Sequence, residues 1–445
     1  MNRLFWALVT LMVTITALWL AADAAALSTL TFISLRPGLI QYTGLVALAL
    51  MAAAVFLAVR PRWIETPLRG LDKMYRLHKW LGVAALVYSI AHWMLVKAPG
   101  WLVSLGLMQR QARRGRPAGG APSAAGIEAT LRSLRGTAES IGEWTFYAAA
   151  LLIALALVKA FPYRLFQKTH RVLAAAVLLL VFHAVVLMKT AYWKAPIGWL
   201  SATLWLVSAI AAVIVLVRKV GASRKSSATI RAIQRLPESE SVSITLEVDE
   251  RYKGHEPGQF VFVTFAHDGE PHPYTIASAW SSARTLRLVI KALGDHTRKL
   301  SEKLAEGQRV TLEGPYGRFT FEGERDQVWI AGGIGVTPFL ARLEALANRT
   351  TKHSIDLYFC ARGADPSLLE ELTKRASEAN VTLRVLLEGR DGRLDAERLC
   401  KDVPAFGGAD YWFCGPAGFG EAMLRALAAK GVATKAFHRE LFEMR

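Results

Sequence analysis

The chain has 445 residues, of which 53% are hydrophobic, and a formal net charge of +18. Residues 1–221 carry 23 lysines and arginines against 6 acidic residues, whereas residues 222–445 carry 31 against 30. Basic residues between apolar runs are typical of a membrane protein, so this charge argues against nucleic-acid binding. The 3 cysteines lack metal-site spacing, which argues against structural disulfides and indicates a reducing compartment.

Six apolar runs in the first half are about twenty residues long, which is enough to cross a hydrocarbon core. The first run resembles a signal peptide, but more runs follow it, and we expect it to stay as an uncleaved helix. Tryptophan and tyrosine recur at the ends of the runs, as in the aromatic belts of membrane proteins. The predicted spans are 4–22, 38–59, 78–97, 143–160, 170–190 and 197–217.

The basic loops predict how these helices are oriented. Lys and Arg cluster after spans two, four and six, which places these segments, the N-terminus and the C-terminal half on the cytoplasmic side of an inner (plasma) membrane. Loop 98–142 is also basic but would face outward, and its glycine, alanine and proline residues predict flexibility. The sequence offers no explanation for the charge of this loop.

Four of the 10 histidines lie in the third and fifth spans, as His78 with His92 and His170 with His183. At about 1.5 Å per residue, each pair is separated by roughly 20 Å along its helix. Because the third and fifth of six spans run in the same direction, His78 and His170 share the inner level, and His92 and His183 share the outer level. Ionisable groups inside a membrane are costly and therefore functional candidates. The pattern predicts two hemes with bis-imidazole ligation, and the alternative is hydrogen bonding between helices.

The second half of the chain predicts two further domains after a polar linker at 219–229. Short β-like runs predict a small antiparallel barrel. Alternating strands and helices from residue 327 predict a parallel, Rossmann-like α/β sheet. We therefore expect a six-helix transmembrane bundle (1–221), an antiparallel β-barrel (222–322) and an α/β domain (323–445). The predicted barrel strands are 241–248, 260–265, 274–277, 286–293 and 309–312, and the later strands are 328–331, 355–360, 382–387 and 411–414, with helices at 337–348, 366–379 and 418–430.

Four short motifs in this half can hold a flavin and a nucleotide. One β-like run offers a ring and two hydroxyls that can dock an isoalloxazine, and the residues after it open a helix whose free amides can bind a pyrophosphate. A glycine-rich turn between a strand and a helix can bind phosphates, and the last strand ends at the edge where ligands of such sheets collect. An ordinary strand, a structural turn and a core cysteine are the competing interpretations. The residues are His272, Pro273, Tyr274, Thr275 and Ser278; Gly294 and Thr297; Gly332, Gly333, Gly335 and Thr337; and Cys414 with Gly415.

Together these residues resemble the ferric reductase superfamily, which includes the NADPH oxidases, over nearly the whole chain. The resemblance implies two heme b groups ligated by the four histidines, FAD in the barrel domain, and NADPH or NADH in the α/β domain. It also implies flavin and nucleotide contacts at the motifs above, with Cys414 touching the nicotinamide. Phe442 is the candidate aromatic over the flavin, with a packing role as the alternative. Arg362 pairs with a 2′-phosphate or is a surface arginine, and Arg36 attracts an anion such as superoxide or serves membrane topology.

The activity implied by the resemblance is electron transfer across the membrane. Cytoplasmic NAD(P)H gives a hydride to FAD, and single electrons pass by way of the inner and then the outer heme to an external acceptor. Oxygen, giving superoxide, is the preferred acceptor, a ferric chelate is the alternative, and a quinone or a partner's methionine sulfoxide is the third possibility. A non-enzymatic heme-binding membrane sensor is the alternative of a different class. The predicted partners are the lipid bilayer, NAD(P)H and the acceptor, and the lack of an EF-hand loop predicts constitutive activity.

Overall fold

The computed structural model describes residues 2–24, 31–68, 70–107, 126–158, 160–217, 219–266, 269–292, 295–349 and 351–440. These residues form two compact units. The first is helical and extends to Val220, and the second contains the β-sheets and begins at Gly221.

Among the described residues, six helices of the first unit are long and apolar enough to cross a membrane, which confirms the six predicted spans. Helix α2 is central, because it packs against α1, α6 and α8. The large hydrophobic side chains exposed among the described residues all lie between Trp6 and Val217, as expected for a surface that faces lipid. The helices are α1 Asn2–Asp23, α2 Phe32–Ala58, α3 Arg62–Leu68, α4 Leu71–Ser104, α5 Ile127–Leu157, α6 Tyr163–Leu187, α7 Thr190–Trp193 and α8 Pro196–Leu216.

The prediction of a flexible loop over 98–142 is wrong at both ends. Helix α4 continues to Ser104, and α5 already begins at Ile127, so only the middle of this segment lies outside the described residues. The first turns of α5 escape a hydropathy search because they are polar. Ion pairs at i,i+4 spacing support them, between Glu128 and Arg132 and between Arg135 and Glu139.

The second unit begins with a six-stranded antiparallel sheet in the order β4-β3-β6-β1-β2-β5. A bridge between Ile276 and Leu288 joins its two edges, which closes the sheet into the predicted barrel. The predicted linker 219–229 is wrong beyond residue 224, because β1 begins at Lys225. Small residues such as Ser226 and Ala228 alternate into the core and give a weak hydrophobic signal. The elements are β1 Lys225–Leu236, β2 Ser241–Val248, β3 Phe260–Phe265, β4 Pro271–Thr275, β5 Thr285–Lys291, α9 Asp295–Lys303 and β6 Arg309–Tyr316.

A five-stranded parallel sheet in the order β11-β10-β7-β8-β9 follows, which confirms the predicted α/β class. Gly332, Cys360 and Leu386 lie side by side in register, so the carboxyl ends of β7, β8 and β9 share one edge with the end of β10. Both sheets belong to one compact unit, and the domain boundary at 322/323 stays a prediction. The elements are β7 Gln327–Gly332, α10 Thr337–Leu346, β8 Ile355–Ala361, α11 Pro366–Glu378, β9 Thr382–Leu387, α12 Glu388–Asp391, α13 Ala396–Asp402, β10 Asp410–Cys414, α14 Ala417–Ala429 and β11 Phe437–Arg439.

Candidate functional site

The structure brings the four membrane histidines together in two pairs, one ring from α4 and one from α6 in each. Nε2 of His78 lies 3.4 Å from Nε2 of His170, and the ring centroids are 5.7 Å apart. The rings of His92 and His183 have centroids 6.4 Å apart and meet edge to face. Helices α4 and α6 therefore run in the same direction, with His78 and His170 at one level and His92 and His183 at the other.

Hydrogen bonds fix which ring nitrogen of three of these histidines carries the proton. Nδ1 of His78 lies 2.8 Å from the carbonyl oxygen of Ala54 in α2. Nδ1 of His92 lies 2.9 Å from that of Ile40, and Nδ1 of His183 lies 2.7 Å from that of Ala138 in α5. Because a carbonyl oxygen can only accept, each Nδ1 donates, and each Nε2 keeps a lone pair. This is the usual arrangement of a histidine that ligates a metal.

These pairs fit a metal that receives its other ligands from a macrocycle. Metal–imidazole bonds of about 2 Å put two nitrogens on one metal roughly 4 Å apart, which is close to the separation between His78 and His170. Within the described ranges, no group of three His, Cys, Asp or Glu side chains could hold a metal alone. Two imidazoles per centre match a heme iron that takes two histidine ligands from the protein. The residues present therefore fit the two heme groups that the resemblance implies.

Glycines on two neighbouring helices make room for the outer pair, and sequence reasoning missed them. A Cβ atom on Gly142 of α5 would overlap the His183 ring, and one on Gly44 of α2 would lie 3.2 Å from Nδ1 of His92. Gly142 follows Ala138 by one helical turn, so the same face of α5 both accepts the His183 proton and leaves space for the ring. The sequence signal, a glycine four residues after an alanine, is too common to single out.

We predict that Gly142→Ala disturbs the outer histidine pair and leaves the inner pair intact. The added methyl group would displace the His183 ring, because the ring occupies the space that it needs. Heme quantification of purified protein would show about half of the wild-type heme content. If both hemes are retained, redox titration would show a shifted midpoint potential for one of them. Gly136→Ala in the same helix is the matched control, because nothing lies within 4 Å of its Cβ position. Two unaltered hemes in the Gly142 variant would contradict the prediction.

Arg36 binds the backbone of α4 one turn beyond His92. Its Nε donates to the carbonyl of Leu95 at 2.7 Å, and its Nη2 donates to that of Val96 at 3.1 Å. Pro99 lies inside α4 and has no N–H, so it leaves the Leu95 carbonyl without its helical partner. Arg36 thus compensates for a proline in the helix, a structural role that the sequence interpretation as an anion attractor did not include.

The predicted flavin motif lies on edge strand β4 and just beyond it. His272, Pro273, Tyr274 and Thr275 pair with β3 and are partly exposed, so their side chains are accessible to a ligand. Ser278 also has a structural role, since its Oγ accepts from the N–H of Arg287 at 2.9 Å, beside the bridge that closes the barrel. Thr297 is partly exposed in the first turn of α9, and Gly294 lies outside the described residues.

The predicted nucleotide motifs meet at the carboxyl edge of the parallel sheet. Gly333 has a φ of +56° with open space beside it, so this turn can approach a ligand. A Cβ atom on Gly335 would overlap the carbonyl of Cys414, and one on Gly415 would lie 3.0 Å from Cα of Gly332. These glycines therefore let the turns after β7 and β10 pack against each other. Helix α10 begins at Thr337, so its N-terminus also opens at this edge.

Cys414 ends β10 and is a neutral thiol. Burial raises its pKa, and the nearby Glu440 carboxylate raises it further. Burial also raises the pKa of Cys360, at the end of β8, to about 12. Neither thiol forms a thiolate at physiological pH, so Cys414 can contact a nicotinamide only as a small apolar group.

The two remaining predicted residues are Arg362 and Phe442. The Arg362 side chain follows β8 and is 93% exposed, with its Nε 3.6 Å from Oε2 of Glu388. It is free to reach a ligand at the carboxyl edge, but it is also within range of an acidic neighbour. Phe442 lies outside the described residues.

Two known families match this chain. The family described as ferric reductase like transmembrane component matches residues 43–181, which include all four membrane histidines. The FAD-binding domain family matches residues 226–320, which include the flavin motif.

Individual relatives match smaller parts of the chain. The flavohemoprotein of Bordetella pertussis is 30% identical over 211 residues, which cover 42% of this chain and 52% of that protein. The glycine betaine monooxygenase reductase subunit of Pseudomonas aeruginosa is 29% identical over 206 residues, covering 42% and 56%. The flavohem-like FAD/NAD-binding domain of nitric oxide dioxygenase from Vibrio cholerae is 23% identical, with a TM-score of 0.43, covering 49% of this chain and 98% of that one. The chain spans about half the length of the curated relatives that it matches.

The six apolar helices, the two sheets and the family matches define a multi-pass membrane protein with a ferric reductase like transmembrane segment and an FAD-binding domain. In the order of its two matched segments, the chain is similar to the flavocytochromes of the ferric reductase and NADPH oxidase type.

Proposed function

We propose that this chain moves electrons from NAD(P)H on the cytoplasmic side of an inner (plasma) membrane to an acceptor on the other side. The observation that carries the proposal is that two pairs of facing histidines lie at two levels along α4 and α6. A structural role for these histidines would require neither facing imidazoles at two levels nor three Nδ1 donors that leave Nε2 free. When bound, FAD accepts the two electrons of a hydride and two hemes carry electrons singly.

The chain's own residues divide this work. His78 and His170 would hold the inner heme and His92 and His183 the outer one, and α2 and α5 orient three of the rings through backbone carbonyls. His272, Tyr274, Thr275 and Ser278 contact the flavin, with Gly294 and Thr297 at its pyrophosphate. The turns at 332–337 and 414–415 bind the nucleotide and keep Cys414 at its nicotinamide end. From the sequence alone, we also propose Phe442 as the aromatic residue that would cover the flavin.

Oxygen, reduced to superoxide, is the acceptor that we propose, and a ferric chelate is the second candidate. Oxygen requires only access to the edge of the outer heme, whereas a chelate requires a docking surface. NADPH consumption by purified protein should be fast in air, slow under argon and not restored by ferric citrate, and superoxide dismutase should suppress a superoxide-dependent dye signal. Restoration by ferric citrate under argon would instead establish the ferric reductase. Absence of NADPH-dependent heme reduction under argon would favour a non-enzymatic sensor.

We predict that Arg362 favours NADPH over NADH. Its exposed guanidinium stands at the carboxyl edge, where it can pair with a 2′-phosphate. Arg362→Ala should lower kcat/KM for NADPH about ten- to a hundredfold and leave kcat/KM for NADH nearly unchanged, as expected for the loss of a charge-assisted hydrogen bond worth about 1.5–3 kcal/mol. The control is Arg425→Ala, on the exposed side of α14. Equal losses with both nucleotides would contradict this role.

A further inference from the structure

Carboxylates of the parallel-sheet domain bind the barrel domain at two separate places. Oδ1 of Asp365, just before α11, accepts from the N–H of Glu238, and its Oδ2 accepts from the N–H and the hydroxyl of Ser239 in the β1–β2 turn. Oε2 of Glu344 in α10 accepts from the N–H of Ala279 at 3.1 Å. Asp365 is buried and Glu344 is partly buried. Two points of attachment fix one domain against the other better than one point does.

A chain of ion pairs stabilises the contact at Glu344. Nη1 of Arg375 lies 2.7 Å from Oε2 of Glu344, and its Nε lies 2.7 Å from Oε1 of Glu371. Glu371 in turn pairs with Nη1 of Arg287 on β5 at 2.8 Å. The guanidinium of Arg375 therefore holds the Glu344 carboxylate in place. The Glu371 carboxylate connects Arg375 to Arg287 of the barrel. Partly buried, charge-assisted pairs of this kind are stronger than exposed ones.

Glu344 connects the two proposed ligand sites directly. Ala279 immediately follows Ser278 of the flavin motif, and the segment around it is held to β5 by the bonds that close the barrel. Helix α10, which carries Glu344, begins at Thr337, directly after the glycine-rich turn proposed to bind the nucleotide. The first turn of α10 thus faces the proposed nucleotide site. Glu344, in its later part, binds the segment that borders the proposed flavin site.

We propose that Glu344 is a positioning residue that sets the distance between the nicotinamide and flavin rings. This inference rests on the proposed function and adds the part of the chain that aligns the two ligands. Hydride transfer requires reacting atoms about 3–3.5 Å apart, and a misplacement of 1 Å caused by a distant mutation can cost about a hundredfold in rate. The hydride leaves the reduced nicotinamide, which becomes oxidised, and its two electrons reduce the flavin, so no other reactant is needed.

The test compares Glu344→Ala with Glu344→Gln in the full chain. Alanine removes the acceptor for the Ala279 N–H, whereas the amide oxygen of glutamine can replace it. Hydrogen–deuterium exchange of protein without added nucleotide should be faster in peptides that contain Ala279 for the alanine variant and close to wild type for the glutamine variant. Anaerobic flavin reduction at saturating NADPH should slow about ten- to a hundredfold for alanine and recover with glutamine, with flavin content unchanged. Glu370→Ala on the exposed side of α11 should alter neither measurement.

The possible outcomes separate this inference from the proposed function. If NADPH fails to reduce the flavin of the wild-type protein, the proposed function fails first. If the wild type is reduced and Glu344→Ala reduces equally fast, the positioning role is wrong, whatever the exchange shows. If Glu344→Ala loses its flavin or Glu344→Gln is as slow as alanine, Glu344 acts in folding or through its charge, and the inference is also wrong.

Discussion

His92→Leu is expected to abolish reduction of the external acceptor while NADPH still reduces the flavin. Leucine is similar in size to the imidazole but has no lone pair to ligate a metal, and the bond to the Ile40 carbonyl is lost with it. The outer centre would lose one of its two protein ligands, since His183 is the only described histidine facing His92. Electrons would stop at the inner pair, so its heme should become reduced under argon and stay reduced longer in air.

Stopped-flow absorbance under argon measures flavin and heme reduction separately, and heme content per polypeptide reports the missing group. Thr43→Val is the matched control, because it removes only the hydroxyl 3.3 Å from Nδ1 of His92 and leaves the Ile40 carbonyl in place. Normal acceptor reduction by His92→Leu would mean that electrons leave from elsewhere. Loss of flavin reduction as well would contradict the order of the proposed relay.

Gly335→Ala should produce the opposite pattern, with much slower flavin reduction by NADPH but normal reduction of the hemes by dithionite. The new Cβ would overlap the carbonyl of Cys414, which is backbone and cannot rotate away. The turns after β7 and β10 would have to separate, and overpacking of this kind costs about 1–3 kcal/mol or more. Because both turns border the proposed nucleotide site, we expect flavin reduction by NADPH to fall about a hundredfold.

Gly389→Ala is the control for Gly335→Ala, since nothing lies within 4 Å of its Cβ position and its backbone needs no positive φ. Nucleotide affinity, flavin reduction rate and thermal stability should be measured together for both variants. Unchanged flavin reduction in Gly335→Ala would contradict the assignment of this turn to the nucleotide.

The sequence predicts the helices and the sheet classes well because their hydrophobic periodicities are strong. Six spans and two domain types follow from runs of about twenty apolar residues and from strand–turn–helix alternation. The early turns of α5 could not be predicted by hydropathy, because Glu128 and Arg132 stabilise them as an ion pair rather than by burial. Strand β1 was not predicted, because small polar residues such as Ser226 occupy some of its buried positions and give a weak hydrophobic signal.

The candidate site was predictable only in part. The spacing of the four histidines indicated two levels, because helical rise is constant. The space for the His183 ring at Gly142, and the carbonyls of Ala54, Ile40 and Ala138 that orient three rings, depend on which helices become neighbours. The same holds for Glu344, since its bond to Ala279 joins residues 65 positions apart. No local pattern encodes such contacts.

The most direct test of transmembrane electron transfer uses sealed vesicles that contain the purified protein and trapped ferricyanide, which does not cross membranes. NADPH added outside reaches only the dehydrogenase domains that face outward, and no electron acceptor is supplied on that side under argon. We predict that the trapped ferricyanide is bleached by NADPH, and that vesicles with His92→Leu leave it coloured. Oxidation of NADPH without bleaching of the trapped ferricyanide in wild-type vesicles would contradict electron transfer across the membrane.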